Sequence, residues 1–351
     1  MENNYIYIPD KSQEEFRCRV PLKDTDQVFV VDGQGEKMGL SLSRGEILPR
    51  MLQVIQVRSS HAVEDLSYSS DYVLGEGAQA KVLLCSHTLS MEDFVTHENV
   101  NVKLAQGAVL DMVVMQNEHN KSKHSTSFKV EMEAGAVLNL NVITLHGGEI
   151  SNDIDVALNG KGGECNVNGL YLADGKQRVS TRVNIWHNVP ECHSSQLFKG
   201  ILDGESVTRF SGRIYVAKDA QKTEAYQANN NLLASRTAKA YTQPHLEIYA
   251  DDVKCSHGAT VGSLNEDELF YMRSRGIEKK EARLLQQQAF AYAVLEKVAN
   301  ESLRERLHSL MESRLRGEFS ECSNCSKHCC CAPVGGLLIL LLKSIIYTCP
   351  L

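Results

Sequence analysis

The chain contains no strongly basic run and no apolar leader at its N-terminus. Its formal net charge is −7, so we expect no general electrostatic attraction to nucleic acid or to an anionic membrane surface. The N-terminal residues MENNYIYIPDKSQEEF lack the apolar stretch of a signal peptide. Eleven cysteines would indicate disulfides in a small secreted domain, but without that leader a reducing cytoplasm is the expected location.

Two common catalytic motifs are also missing from the sequence. No GxxxxGK(S/T) phosphate loop occurs, so we expect that this chain binds no ATP itself. No GxSxG nucleophile elbow occurs, which argues against serine hydrolase chemistry. Evidence for the function must therefore come from the sequence repeats and from small groups of residues.

Short strands rich in Val and Leu recur after Gly-Ala turns. The chain has 351 residues, of which 42% are hydrophobic and 23% charged, enough for one large domain and a smaller one. The turn glycines are spaced by 30, 28 and 28 residues: Gly77, Gly107, Gly135 and Gly163. Such a period predicts stacked coils, each unable to bury its apolar face alone. An all-β sandwich also alternates strands with turns, so periodicity leaves both a sandwich and a β-solenoid open.

After Gly276 the apolar spacing changes from two to about 3.6, and the sequence predicts two or three short helices at residues 265–317. Asn265 with Glu268, and Ser302 with Glu305, have the spacing of capping boxes at two helix starts. The apolar stripes that follow are Leu284, Leu285, Phe290, Val294, Leu295 and Val298, then Leu303, Leu307, Leu310, Met311 and Leu315. The pattern alone indicates that these faces pack on each other and on the end of the β domain.

Residues 251–276, DDVKCSHGATVGSLNEDELFYMRSRG, are the most informative stretch. A strand there places Cys255 and His257 on one face, about 7 Å apart along the chain, and Ser256 on the other. A thiolate and an imidazole on one face can approach the same metal. One cysteine is not a metal site, however, because closed sites need about four ligands. A half-buried cysteine beside a histidine that is bonded to a backbone carbonyl is the simpler interpretation of the strand by itself.

Several motifs of this chain resemble those of the SufB/SufD family of iron-sulfur cluster assembly proteins. They are CSHGATVG followed by LFYMRSRG, QLFKGILDG at 196–204, YQANNNLL at 226–233 and YTQPHLEIYADD at 241–252. The resemblance covers roughly residues 60 to 318, and several motifs in the family's order make chance similarity improbable. It implies a mainly β protein, a right-handed parallel β-helix (β-solenoid) followed by a small C-terminal α-helical region.

The resemblance also implies a function. The chain would be a non-catalytic scaffold subunit of the SUF complex, paired with SufB through the β-helix and docked to the ATPase SufC through its C-terminal helices. His257 would contribute to a transient iron-sulfur cluster shared with SufB, opposite a cysteine of SufB, and Cys255 would be its supporting neighbour. A reduced flavin is associated with the family's complex, but no residue set in this sequence places one.

On this basis the chain divides into four segments. Residues 1–57 hold N-terminal strands and a connection, without the helical element with which family members usually begin. The β-helix core follows at 58–264, and the helical region that would dock the ATPase at 265–318. Its candidate docking residues are Leu269, Phe270, Tyr271, Leu285 and Phe290.

The fourth segment, 319–351, combines a cysteine-rich motif with an apolar end. The motif CxxCxxHCC has the thiol density of a zinc or iron-sulfur site, although a zinc ribbon pairs two such knuckles across a longer gap. Its candidate ligands are Cys322, Cys325, His328, Cys329 and Cys330. The apolar run GGLLILLLKSIIYTCPL is too short for a membrane span, which needs about twenty residues, and we assign it no function.

Two further expectations concern polar residues of the β domain. Asn229, Asn230 and Asn231 are expected at a turn of the stack, in a structural role. The alternative function is a carbohydrate-active lyase or hydrolase on a β-helix, which would need acidic and basic groups such as Asp251, Asp252, Arg273 and Arg275 in one groove. Only analogy of fold favours that alternative, and a cytoplasmic location argues against it.

Overall fold

The computed structural model describes residue 22 and residues 25–34, 39–59, 64–88 and 93–317. Strands alternate between two parallel sheets, so that each coil contributes one strand to each sheet. The nine-stranded sheet consists of β1 (Thr25–Val31), β3 (Met51–Arg58), β5 (Gln79–Thr88), β7 (Val109–Asn117), β9 (Val137–His146), β11 (Glu164–Ala173), β13 (His193–Leu202), β15 (Thr223–Leu233) and β17 (Val253–Ser263). The eight-stranded sheet consists of β2 (Leu40–Leu42), β4 (Asp65–Leu74), β6 (Phe94–Leu104), β8 (Ser122–Met132), β10 (Glu149–Leu158), β12 (Arg178–His187), β14 (Val207–Val216) and β16 (Lys239–Ile248). The predicted parallel β-solenoid is thereby confirmed.

The turn glycines follow the coil period, with one difference from the prediction. Gly77, Gly107 and Gly135 adopt φ values of 66°, 68° and 64°, where a residue with a side chain would be strained. The next turn uses Gly162, with φ of 75°, and not Gly163. The coil from β9 to β11 is one residue shorter than the one before it, since Val137 pairs with Val109 but Glu164 pairs with Val137. The two offsets are 28 and 27 residues. A constant spacing of 28 residues therefore predicts a turn at Gly163, one position after the Gly162 that the structure uses.

The solenoid begins before residue 58, which is the predicted start of the β-helix core. β1, β2 and β3 are already members of the two sheets, and all eight residues of β3 are buried. A strand buried on both faces shows no alternation of apolar and polar residues. The run MLQVIQV, which the sequence indicates as the entry to the solenoid after a connection, already lies in a full strand of it.

Three helices complete the described part of the chain: α1 (Glu266–Ser274), α2 (Lys279–Leu295) and α3 (Glu301–Leu315). Asn265 caps α1 as predicted, since its Oδ1 accepts the N–H groups of Asp267 and Glu268. The predicted Ser302 cap of α3 is wrong. Asn300 caps this helix by accepting the Leu303 N–H at 2.8 Å, and Ser302 lies inside the first turn.

The two faces of the nine-stranded sheet bury different cores. Inward side chains of both sheets form the solenoid interior, for example Leu84, Val114 and Phe198. On the outer face, residues including Met115 and Ile143 pack with apolar residues of α2 and α3. The apolar stripes of α2 and α3 thus pack on each other as predicted, but they also cover the outer face of the nine-stranded sheet rather than the end of the β domain.

The expectation that Asn229–Asn231 form a turn is wrong, because all three lie within β15. Asn229 and Asn231 face the interior and are 0% and 3% exposed. Asn231 accepts the Tyr171 hydroxyl at 2.7 Å, and that hydroxyl accepts the Asn229 amide at 3.0 Å. Their role is structural, as predicted, but it consists in satisfying buried polar groups inside the stack.

A buried charge cluster lies in the first half of the solenoid. His124 Nδ1 donates to Glu118 Oε1 at 2.8 Å, and His124 Nε2 lies 3.5 Å from Glu98 Oε2. Burial by itself would lower the pKa of His124, but the charge of Glu118 and hydrogen bonds to both glutamates raise that pKa to about 10. Burial by itself would raise the pKa of Glu118, and the charge and hydrogen bond of His124 outweigh it and lower that pKa. The imidazolium is therefore the stable form inside the fold.

We predict that His124→Gln destabilises the protein by about 3–5 kcal/mol, because it leaves a buried carboxylate without its counter-ion. The stabilising contribution of the raised His124 pKa is complete below about pH 6.5 and is lost as the pH rises towards about 10. The contribution of the lowered Glu118 pKa is complete above about pH 4.5 and is lost as the pH falls. The difference from wild type should therefore shrink between about pH 6.5 and pH 9.5 in urea unfolding.

The matched control is His97→Gln, because His97 belongs to the neighbouring strand of the same sheet and its side chain is 50% exposed. This variant should stay within about 0.5 kcal/mol of wild type across the same pH range. Equal destabilisation by the two variants would contradict the buried ion cluster.

Candidate functional site

The C-terminal end of the solenoid presents two strand edges. β17 is hydrogen-bonded to β15 alone and β16 to β14 alone, so within the described ranges neither strand has a partner on its other side. An edge strand carries a row of unpaired N–H and C=O groups that can pair with another chain. Exposed aromatic side chains surround this end, Tyr241 on β16 and Tyr249 just after it. The end of the stack therefore has the features of a protein-binding surface.

Cys255 and His257 lie on the inner face of β17, the last strand. Cys255 packs against the interior residues Ile214 and Ala225, whereas Lys254 faces outward and binds Glu224 Oε1 at 2.7 Å. Since alternate residues share a face, His257 points to the same side as Cys255. No further coil covers this face in the part of the chain that the structure describes, so His257 is exposed and bonded to no described residue.

The two side chains do not form a complete metal site. Burial raises the pKa of the Cys255 thiol and outweighs a backbone hydrogen bond from Ala225 that lowers it, so the thiol stays protonated at neutral pH. Among the described residues, no group of three or more His, Cys, Asp and Glu side chains is arranged to hold a metal ion. The pair supplies at most two ligands, and one of them must first lose a proton.

A layer of buried amides lies directly beneath His257. Gln227 is the in-register neighbour of His257 on β15, and Gln196 is the neighbour of Gln227 on β13. Gln227 Nε2 donates to Gln196 Oε1 at 2.8 Å, while Gln227 Oε1 is buried without a hydrogen-bond partner. From the sequence alone Gln227 is expected in a structural role, like the neighbouring asparagines. Gln227 and His257 are separated by 30 residues, about one coil, and this separation is the sequence signal that could have placed them side by side.

The candidate docking residues of the helices separate into two groups. Phe270 and Tyr271 on α1 are 73% and 59% exposed, and Leu285 on α2 is 40% exposed. Leu269 is buried against Leu264 and Ala282, so it cannot touch a partner. Phe290 is half-buried beneath Lys199, whose Nζ lies 4.4 Å from the centre of the ring. The surface available for docking is therefore Phe270, Tyr271 and Leu285.

The remaining candidate residues are the cysteine-rich motif and the charged residues of the carbohydrate-enzyme alternative. The cysteine-rich motif, from Cys322 to Cys330 and including Cys325, His328 and Cys329, lies outside the described residues. Asp251 and Asp252 precede β17, whereas Arg273 and Arg275 end α1, so a strand of eleven residues, about 35 Å, separates the two groups. Among the described residues no ion pair or hydrogen bond joins the two groups, so nothing in the structure favours the carbohydrate-enzyme alternative.

Two further features concern the cysteines and the helices of the described ranges. The cysteines in the described ranges, Cys85, Cys165, Cys192 and Cys255, are all free thiols. None of the helices in those ranges has both the length and the apolar character that a membrane span requires.

Fold and site together define a class of protein: a parallel β-solenoid with a helical cover over one sheet and, within the described ranges, two unpaired strand edges at its C-terminal end. Residues 66–290 match the SufBD core domain of the SUF system of FeS cluster assembly. The chain therefore belongs to the SufBD family of iron-sulfur cluster assembly proteins.

Individual relatives agree with this assignment. The chain is 32% identical to the iron-sulfur cluster assembly protein SufD of Escherichia coli, over 79% of this chain and 66% of that protein. It is 30% identical to a SufBD family protein of Mycobacterium leprae, over 62% and 58% of the two chains. It is 42% identical to a SufBD family protein of Synechocystis, over 41% and 32%. The chain thus spans about two thirds or less of each of these curated relatives.

Proposed function

We propose that this protein is a non-catalytic, SufD-type scaffold subunit that pairs with SufB and helps to build an iron-sulfur cluster between the two chains. The observation that carries the proposal is the open end, where two unpaired strand edges flank the exposed His257 and the half-buried Cys255. The family assignment supplies the process in which such an end would work. The nascent cluster is the cargo of the complex.

Pairing would extend both sheets across the interface. A SufB chain that adds its own edge strands to β16 and β17 would satisfy their unpaired backbone groups. The inner faces of the two end coils would then face each other. His257 would contribute one imidazole ligand, and the partner would supply thiolates beyond the one cysteine, Cys255, that the described residues place at this end. Enclosed iron would also lower the pKa of the Cys255 thiol, which allows Cys255 to support the site.

The helices would dock the ATPase SufC and connect it to the open end. The exposed Phe270 and Tyr271 have the aromatic character of interface anchors. α1 follows β17 after a short connection, and Leu269 fixes the helix to Leu264 at the end of the strand. A displacement of α1 by SufC dimers would therefore reach β17 through packed side chains. SufC would bind and hydrolyse the ATP.

His257→Ala should abolish cluster formation in a reconstituted complex of this chain with SufB and SufC, because the imidazole ligand is lost. The complex itself should remain intact in size-exclusion chromatography, since the strand edges are unchanged. Cluster yield is measured by absorption and by iron and sulfide content. Wild-type yield from the variant would refute the role of His257.

The matched control for that experiment is His245→Ala. His245 is an exposed histidine on the adjacent strand β16, in register with Arg213 rather than with the interior layer of glutamines. Its replacement should leave cluster yield unchanged. Loss of yield in both variants would indicate damage to the interface rather than loss of a ligand.

Replacing Phe270 and Tyr271 together by Ala should weaken SufC binding by at least about tenfold, because two exposed aromatic anchors are removed. Isothermal titration calorimetry of the full chain with SufC measures the effect. Ile47→Ala is the control, since Ile47 is 60% exposed and lies at the opposite end of the stack. Unchanged affinity in the double variant would locate SufC elsewhere.

A further inference from the structure

We propose that Gln227 is a positioning residue for His257. Its Oε1 would accept the N–H of the His257 ring and thereby direct the other ring nitrogen, with its free lone pair, out of the open end. The inference rests on the proposed function of His257 but concerns the orientation of the ring, which can be measured without a cluster.

Strand register brings the two residues together. Gln227 on β15 pairs with His257 on β17, and parallel neighbours are about 4.8 Å apart. Their side chains share the inner face, because Cys255, two residues before His257, packs against the interior residue Ala225. Gln227 is thus the interior residue of the preceding coil that lies directly below His257.

The amide of Gln227 is held in place from two sides. Its Nε2 donates to Gln196 Oε1 at 2.8 Å. On the opposite sheet the amide occupies the space left by Gly212, where an added Cβ would lie 1.9 Å from Nε2. A side chain fixed in this way cannot easily turn its oxygen toward another donor.

The remaining oxygen has no partner inside the fold. Gln227 is 3% exposed, and its Oε1 accepts no hydrogen bond from any described residue. Buried acceptors are nearly always satisfied, so an orphan oxygen indicates a missing donor. Two other buried donors are also without a partner, Gln196 Nε2 on the preceding coil and Thr242 Oγ1 on β16 of the opposite sheet. The ring of His257 is the donor-bearing group of the coil that follows Gln227 in register.

The chemistry of a histidine ligand requires such an acceptor. A ring that binds a metal through one nitrogen usually donates the N–H of its other nitrogen to a carbonyl or carboxylate, which fixes tautomer and orientation. A neutral amide oxygen does this without adding charge to the site. Gln227 therefore has the chemistry of an outer partner of a ligand that becomes complete only in the complex.

The test measures the tautomer of the neutral His257 ring in the full chain. ¹⁵N-histidine labelling with long-range ¹H–¹⁵N spectra reports it, and the His257→Ala spectrum identifies the signal. Wild type should hold a single tautomer. Gln227→Met, of similar length but without an acceptor, should give a mixture, and cluster yield in the SufB-containing complex should fall by about tenfold or more.

Two further variants separate positioning from folding. Gln227→Glu keeps an acceptor and should retain the single tautomer. Asn168→Met removes a buried amide that bonds Asn141 and not Gln227, and it should leave both the tautomer and the yield unchanged. Thermal melts verify that each variant is folded. A single tautomer in Gln227→Met, or a mixture in Asn168→Met, would overturn the proposal.

The same measurements distinguish this inference from the proposed function. If His257→Ala retains cluster yield, the role of His257 as a ligand fails, while the dependence of its tautomer on Gln227 still holds. If the tautomer is independent of Gln227 while His257→Ala abolishes the yield, the positioning role alone fails.

Discussion

The structure depends on parallel, in-register stacking, in which each coil covers the inner face of the one before it. Gln196 is buried because β15 covers it, and Gln227 is buried because β17 covers it. His257 is exposed because β17 is the last strand of its sheet in the described chain. A solenoid cannot avoid such an end, since nearest-neighbour contacts alone stabilise it. The candidate site is therefore a consequence of where the stack stops.

The helices are tied to the sheet by more than apolar packing. Arg314 on α3 donates to the carbonyl of Leu145 at 2.8 Å and to Asp174 at 2.6 Å. Lys199 on β13 donates to the carbonyl of Phe290 on α2 at 3.0 Å. These bonds attach α2 and α3 to the middle of the stack. α1, by contrast, packs mainly on α2 and the end of β17, and it is the helix with the largest exposed aromatic surface.

The coil period and the helices are predictable from sequence because they follow from repeated local signals. The turn at Gly162 is not predictable from sequence, because a regular spacing of glycines does not show that one coil is a residue shorter. Asn229 has the composition of a turn, yet its amide bonds Tyr171 across two coils inside the stack. The ion cluster around His124 is equally hidden. Glu98 and His124 come from strands that look half-polar, and Glu118 directly follows β7, so only the three-dimensional stacking of the coils brings the three together.

The candidate site is predictable in part for the same reason. Alternation on a strand suffices to place Cys255 beside His257, but it does not reveal that both lie at an uncovered end or that Gln227 lies below them. The exposed imidazole, the protonated thiol and the orphan amide oxygen are each poorly satisfied in the single chain. A partner that brings thiolates and iron would deprotonate the thiol, bind one ring nitrogen and leave the other N–H for the amide. Under the proposed function the end coil would thus be better satisfied in the complex than alone, as a site shared between two chains requires.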